Sequence, residues 1–171
     1  MKNSNKTADG HCTESQIGLI EKLTRIGIAL SAEKNIGRLL EMIVEEAKNF
    51  TQAEGGTLYI MSDDERSLNF AIVQNKTLNI RMGGTGDKIT WPSVMLKNPD
   101  GSPNFANVSA YTAISGEVVN IPDVYNAEGF DFQGTPKFDM ENGYHSKSML
   151  VVPKRWIRLG TIEDASSLPS A

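Results

Sequence analysis

Gly55-Gly-Thr-Leu-Tyr-Ile-Met-Ser-Asp-Asp-Glu-Arg-Ser-Leu-Asn-Phe-Ala-Ile-Val73 decides the architecture. The two glycines break any helix that precedes them, and residues 57–60 form a β-branched and aromatic run that reads as a buried strand. Residues 63–66, two aspartates, a glutamate and an arginine, read as a solvated turn rather than a metal site. Residues 68–73 are the return strand. Two strands joined by so short a turn must be antiparallel.

Upstream of this hairpin the apolar period changes from two to 3.6. Leu19, Leu23, Ile26 and Leu30 share one helical face, opened by a capping box at Thr13 and Gln16. Ile17, Ile20 and Ile28 lie on a second face, so the helix needs two neighbours. One is its own domain, and the other is either more of that domain or the same helix of a second subunit. Ile17 and Ile20 are the candidate dimer-interface residues. A second helix begins at the N-cap Asn35, with Ile36, Leu39, Leu40, Ile43, Ala47 and Phe50 on its apolar face. Glu41, Glu45, Glu46 and Lys48 fall on its polar face. The string Ser31-Ala-Glu-Lys34 resembles a serine-hydrolase motif but has none of the accompanying apparatus.

Downstream, residues 74–103 are loop-rich. Gly83-Gly-Thr-Gly86 is followed by extended-favouring residues instead of a helix, so it reads as a flexible turn and not a phosphate cradle. Residues 104–115 form a short helix closed by Gly116, with Val108, Tyr111, Ala113 and Ile114 as its apolar positions. Residues 118–122 and 148–152 are strands, separated by a long irregular stretch. Helices, hairpin, helix and late strands in that order give an α+β fold with an antiparallel sheet.

Composition bounds the function. The 171 residues carry 17 Lys and Arg against 21 Asp and Glu, a net charge of −4, which is a poor match to a nucleic-acid backbone. No apolar run approaches the ~18 residues of a membrane span, and residues 1–16 lack a secretory apolar region. No membrane partner and a cytoplasmic location are expected. Cys12 is the one cysteine, which excludes internal disulfides and a cysteine-rich zinc site; His11 beside it does not complete a metal site. No cofactor is expected.

Tyr125, Phe130, Phe132, Phe138 and Tyr144 concentrate aromatic residues in one non-periodic stretch. Such a loop folds over a sheet either as the wall and lid of a small-molecule pocket or as a small core of its own. The segments Gly116-Glu-Val-Val-Asn-Ile-Pro-Asp-Val-Tyr125, Phe138-Asp139 and Gly143-Tyr-His-Ser-Lys-Ser-Met-Leu-Val-Val-Pro153 resemble those surrounding the ligand cavity of GAF domains. The paired helices and the Gly-Thr-Leu-Tyr strand match as well, so the resemblance spans residues 15–153. Its nearest flavour is the sensory GAF domain that precedes bacterial cyclic-di-GMP phosphodiesterases, nucleotide cyclases and histidine kinases.

That resemblance implies N-terminal helices packed on one face of the sheet and a loop-rich lid on the other. It implies a non-enzymatic sensory domain in signal transduction whose ligand is a small molecule, a cyclic nucleotide being one candidate. Tyr111 and Thr112 are then wall residues, and Asp123, Phe130, Asp139, Tyr144 and Ser146 are lid and polar contacts. The characteristic cyclic-nucleotide signature is not cleanly present. Covalent bilin attachment and free methionine sulfoxide reductase activity both need cysteines inside the domain, where this chain has none. A hydrolytic alternative would use His145 as a base beside Asp139.

After Pro153 the family's inner strand and C-terminal helix are not recognisable. The expected organisation is a disordered tail (1–13), an incomplete GAF-like domain (14–153) and a divergent tail (154–171). A dimerisation or protein-interaction module with an empty pocket, or a remnant of a larger signalling protein, is the alternative. Output would pass through a homodimer or a separate partner protein.

Overall fold

The computed structural model describes residues 8–132, 136, 139–141 and 143–154. The expectations for the first seven residues, for Phe138 and for the tail beyond Lys154 lie outside the described residues. The chain forms two compact units, divided after Ser93.

The first unit holds two helices and a meander. Helix α1 spans Ala8–Ala32 and α2 spans Ile36–Thr51. Strands β1 (Gly55–Met61), β2 (Ser67–Asn75) and β3 (Ile80–Gly83) follow, paired antiparallel in that order. Strands β1 and β2 run longer than the expected 57–60 and 68–73, and two larger differences stand out. Helix α1 starts at Ala8, ahead of the Thr13 capping box, which is therefore interior to the helix. Residues 80–83, expected to be loop, add a third strand: four residues ending in glycine give too little period to read. Asn35 caps α2 as expected, its side chain accepting from the Arg38 N–H, and Gln52 closes the helix in the left-handed region.

The face of α2 that meets the sheet is not the apolar stripe. Gly37, Glu41, Val44 and Lys48 recur at +4, +3 and +4, about a third of a turn from the Leu40–Ile43 line. A Cβ on Gly56 of β1 would meet Val44 Cγ1 at 2.8 Å and Lys48 Cγ at 3.0 Å, and one on Gly37 would meet Gly84 Cα at 3.2 Å. Close backbone approach has selected small residues here. The outer line is left wet at both ends: Ile36 and Phe50 are exposed, and Lys22 of α1 sits 5.3 Å over the Phe50 ring.

Glu41, expected on the polar face, is 1% exposed. Its Oε1 accepts from the Thr85 N–H and the Thr85 hydroxyl at 2.7 Å; its Oε2 accepts from Arg38 and Arg81, each at 3.1 Å. Burial pushes this carboxyl up, but the Thr85 amide and hydroxyl, then Arg81 and Arg38, outweigh it and bring the pKa down to about 2. The Gly83–Gly86 segment is thus a built turn. Gly83 and Gly84 have φ of 83° and 59°, and any side chain on Gly84 would strike Glu41. The turn receives the Glu41 carboxylate of its own chain.

The second unit contains β4 (Val94–Met95), α3 (Val108–Ser115), β5 (Val119–Ile121) and β6 (Met149–Val151). Asn107 caps α3, accepting from the Ser109 and Ala110 N–H groups, and Gly116 ends it with φ 72°. Strands β5 and β6 pair antiparallel, Val119 opposite Val151 and Ile121 opposite Met149. Val108, Ile121 and Val124 are the buried centre of this unit, with Val119, Phe130, Phe132 and Val151 packed around them. The observed architecture is a mixed helix and antiparallel-sheet fold with N-terminal helices, the α+β class expected from sequence.

Candidate ligand-binding site

The long stretch between β5 and β6 is stitched at defined points. Pro122 ends β5, and Asp123 begins a turn in which its Oδ1 accepts from the Tyr125 N–H at 2.9 Å and its Oδ2 accepts from Asn126 Nδ2 at 2.8 Å. These two donors lower the Asp123 pKa, the Asn126 amide first. The Val124 N–H donates to the Lys147 carbonyl at 2.9 Å, tying the start of the stretch to its end. Gly129, with φ 87°, reverses the chain so that Phe130 turns inward, and the Asp131 N–H donates to the Ala106 carbonyl at 2.7 Å.

Phe130 then stands edge-on to Tyr111 of α3, with centroids 5.4 Å apart, and to Phe132 at 6.3 Å. Tyr111 in turn donates its hydroxyl to Glu117 at 2.8 Å, which raises its pKa. Between β5 and this turn lies a cleft of about 370 Å³. Val119, Ile121 and Phe130 supply apolar wall, and Asn120, Asp123, Asn126 and Glu128 supply polar rim.

A second cluster closes the same stretch. Asp139 is 4% exposed. It accepts from the Tyr125 hydroxyl at 2.5 Å, from the Ser146 N–H at 2.6 Å and from the Ser146 hydroxyl at 2.9 Å. Burial pushes its carboxyl up, but the Tyr125 hydroxyl and the two Ser146 donors more than compensate and hold it below the ordinary carboxylate range. The Tyr144 N–H donates to the Asp139 carbonyl at 2.9 Å. His145 stacks on Tyr125 with centroids 5.0 Å apart and ring planes at 20°.

The residues singled out from sequence therefore divide. Asp123 and Phe130 line the cleft, and Tyr111 buttresses Phe130 from α3. Asp139, Tyr144 and Ser146 come together in the cluster that ties the stretch closed. Thr112 is 2% exposed, and its hydroxyl has no hydrogen-bond partner among the described residues. Asn126 and Glu128 escaped the sequence reading; the Asp-x-x-Asn spacing and the following glycine were the available signal. Ile17 and Ile20 lie exposed on α1, in the first unit. Among the described residues no group of three metal-ligating side chains occurs, and no helix is long and apolar enough to cross a membrane.

No protein-family model matches the sequence, and no curated protein matches it significantly. Among solved structures the chain is similar to the GAF domain of an Acinetobacter phosphoenolpyruvate-protein phosphotransferase. The two superpose with a TM-score of 0.51 at 12% sequence identity, over 81% of this chain and 69% of the other. That likeness, on top of the element order above, makes the fold of this chain that of a GAF domain.

Proposed function

We propose that this chain is a non-catalytic regulatory domain that binds a small molecule in the cleft beside β5 and acts in signal transduction. The observation that carries the reading is the cleft itself: an apolar wall ending in Phe130, a polar rim centred on Asp123, and a stretch of chain fastened at both ends around it. Few convergent polar groups over an apolar wall are the usual make-up of a small-molecule site. The GAF-like fold agrees with such a role, since the family hosts many ligands on one scaffold. By resemblance a cyclic nucleotide is one candidate, without the family's cyclic-nucleotide signature to single it out.

Thermal unfolding of the full chain with cyclic nucleotides and a panel of small metabolites tests the reading, because ligand binding to the native state raises the midpoint by mass action. A midpoint raised by one compound in the wild type and not in Phe130→Ala supports it. A cooperative transition that no compound moves overturns it.

A second reading has its own observation. Ile17, Ile20, Leu23 and Ile28 of α1 are all at least half exposed, Ile20 at 62% and Ile28 at 66%. A helix this long with apolar residues so placed fits pairing with a second copy. In that reading the domain transmits a signal through a homodimer or a separate output protein in the cytoplasm.

A further inference from the structure

The cleft beside β5 has a polarity as well as a shape. Asn126 donates one amide N–H to Asp123 Oδ2 at 2.8 Å, and its side-chain carbonyl remains an acceptor. Asp123 is acceptor-only, and so is the Glu128 carboxylate across the rim. Among the described residues neither lysine nor arginine lines the cleft, and His145 is the basic side chain whose charge reaches Asp123. The two donors that Asp123 already receives keep it ionised and fix its orientation, and each oxygen keeps a lone-pair direction unused. The rim thus presents two negative charges beside the amides of Asn120 and Asn126, over the half-buried ring of Phe130.

A bound anion would face two carboxylates with no lysine or arginine among the described lining residues to offset them, and the repulsion would grow as water left the cleft. A phosphate diester is the poorest fit. A cation meets the opposite field: charge-assisted hydrogen bonds from an ammonium to the carboxylates, and ring contact for the body attached to it. Size narrows the class. A cleft of about 370 Å³ lies at the small end of the ~300–1,000 Å³ typical of ligand sites. It suits a compact amine and not a dinucleotide.

We infer that the cleft binds a small organic cation, an amine carrying a flat or branched apolar body, and not an anion. The inference rests on the ligand-binding reading above and deepens it. The ammonium sits between Asp123 and Glu128, and the body lies along Val119 and Phe130.

Calorimetric titration and thermal unfolding of the full chain with 2-phenylethylamine test this, set against 3-phenylpropionate and cyclic AMP and GMP. The amine raises the midpoint and binds, 3-phenylpropionate does neither, and Asp123→Asn weakens the amine at least about tenfold. Asparagine can still accept from the Tyr125 N–H, so the turn survives the change. Glu128→Gln, on an exposed side chain, gives the same direction if Asp123→Asn unfolds the unit. Asp63→Asn, on the hairpin turn of the other unit, leaves amine binding unchanged. Binding of a cyclic nucleotide or of 3-phenylpropionate without the amine overturns the charge assignment and leaves the ligand-binding function standing. Amine binding untouched by both cleft variants also overturns it. No binding by any of the four overturns the amine assignment, and the ligand-binding reading falls with it only when the wider metabolite panel also leaves the midpoint unmoved.

Discussion

The Tyr125 hydroxyl donates to Asp139 Oδ2 at 2.5 Å, across 14 positions of sequence, and this bond closes the stretch between β5 and β6. The carboxylate is buried, which shields its end of the bond from water. Tyr125→Phe leaves Asp139 with only the Ser146 donors. Hydrogen bonds to charged groups contribute about 1.5–3 kcal/mol, and Tyr125 is itself partly exposed, so a loss of about 1–2 kcal/mol is expected. Amide exchange at Ser146, whose N–H also donates to Asp139, reports it directly. Faster exchange in the variant at neutral pH is the expected result. The pH dependence has a definite sign. The folded carboxyl lies below its ordinary 3.8, so its contribution is present above that value and fades as pH falls through the folded one. Tyr125→Phe therefore narrows its gap from the wild type on acidification.

Glu41 makes the same argument in the first unit with a larger magnitude. Its pKa falls from 4.5 to about 2 on folding. The linked stability is fully present above pH 4.5 and lost as pH falls toward 2, on the order of 3 kcal/mol in all. Glu41→Gln keeps one acceptor for Thr85 but removes the charge that holds Arg38 and Arg81. Urea denaturation at neutral pH should show the variant less stable by up to about 3 kcal/mol, with the two proteins converging near pH 2. A constant difference across that range would mean that packing, and not the carboxylate charge, explains the loss.

How far these features were readable from sequence differs by residue. Asn35 was accessible because capping is local: its side chain meets an N–H group three residues on. Asn107 caps α3 in the same local way, but the helix was expected from residue 104 and begins at Val108. The hairpin of residues 55–75 was accessible because its pairing is local too. Glu41 was not, because its partners Arg81 and Thr85 lie 40 and 44 residues away, and a glutamate at helical spacing looks solvated whether or not it is. The GAF-like fold was legible from separated motifs in order. The cleft was legible only through Asp123 and Phe130, because Asn126 and Glu128 face it by a turn whose course depends on Gly129.

Two glycines of the first unit carry opposite kinds of cost. Gly84→Ala would place a Cβ 2.5 Å from Glu41 Oε1 and 2.9 Å from the Gly37 carbonyl, at a φ of 59°. Strain and a displaced buried carboxylate combine, and a loss above about 2 kcal/mol is expected. Gly56→Ala meets Val44 and Lys48 side chains, and the Lys48 stem can swing away. Its cost should be smaller, about 1 kcal/mol. Paired chemical denaturation of the two variants checks the order.

Thr112→Val separates a structural from a binding role. The Thr112 hydroxyl is buried and unpartnered among the described residues. An unsatisfied buried polar group costs about 1–3 kcal/mol, so the near-isosteric valine should leave the melting midpoint unchanged or raise it. If the hydroxyl instead contacts a ligand, the same variant keeps its stability and loses affinity. Measuring both on one sample tells the two apart.

The exposed stripe of α1 sets a quantitative limit on self-association. Burying a whole isoleucine or leucine contributes about 1.5–3 kcal/mol. Ile17, Ile20, Leu23 and Ile28 are already half covered, so each adds roughly half of that in a dimer. Eight such side chains give about 6–12 kcal/mol gross, against an association cost of at least about 4 kcal/mol. The expected dimer is therefore no tighter than about micromolar. Sedimentation equilibrium up to about that concentration and well beyond it should show a reversible monomer–dimer transition. Ile17→Asp with Ile20→Asp should abolish it while leaving the melting midpoint of the monomer in place, since both side chains already face water. If the wild type stays monomeric at millimolar concentration, the stripe is not a homodimer surface. If the double variant instead dimerises unchanged, the contact lies elsewhere on the chain.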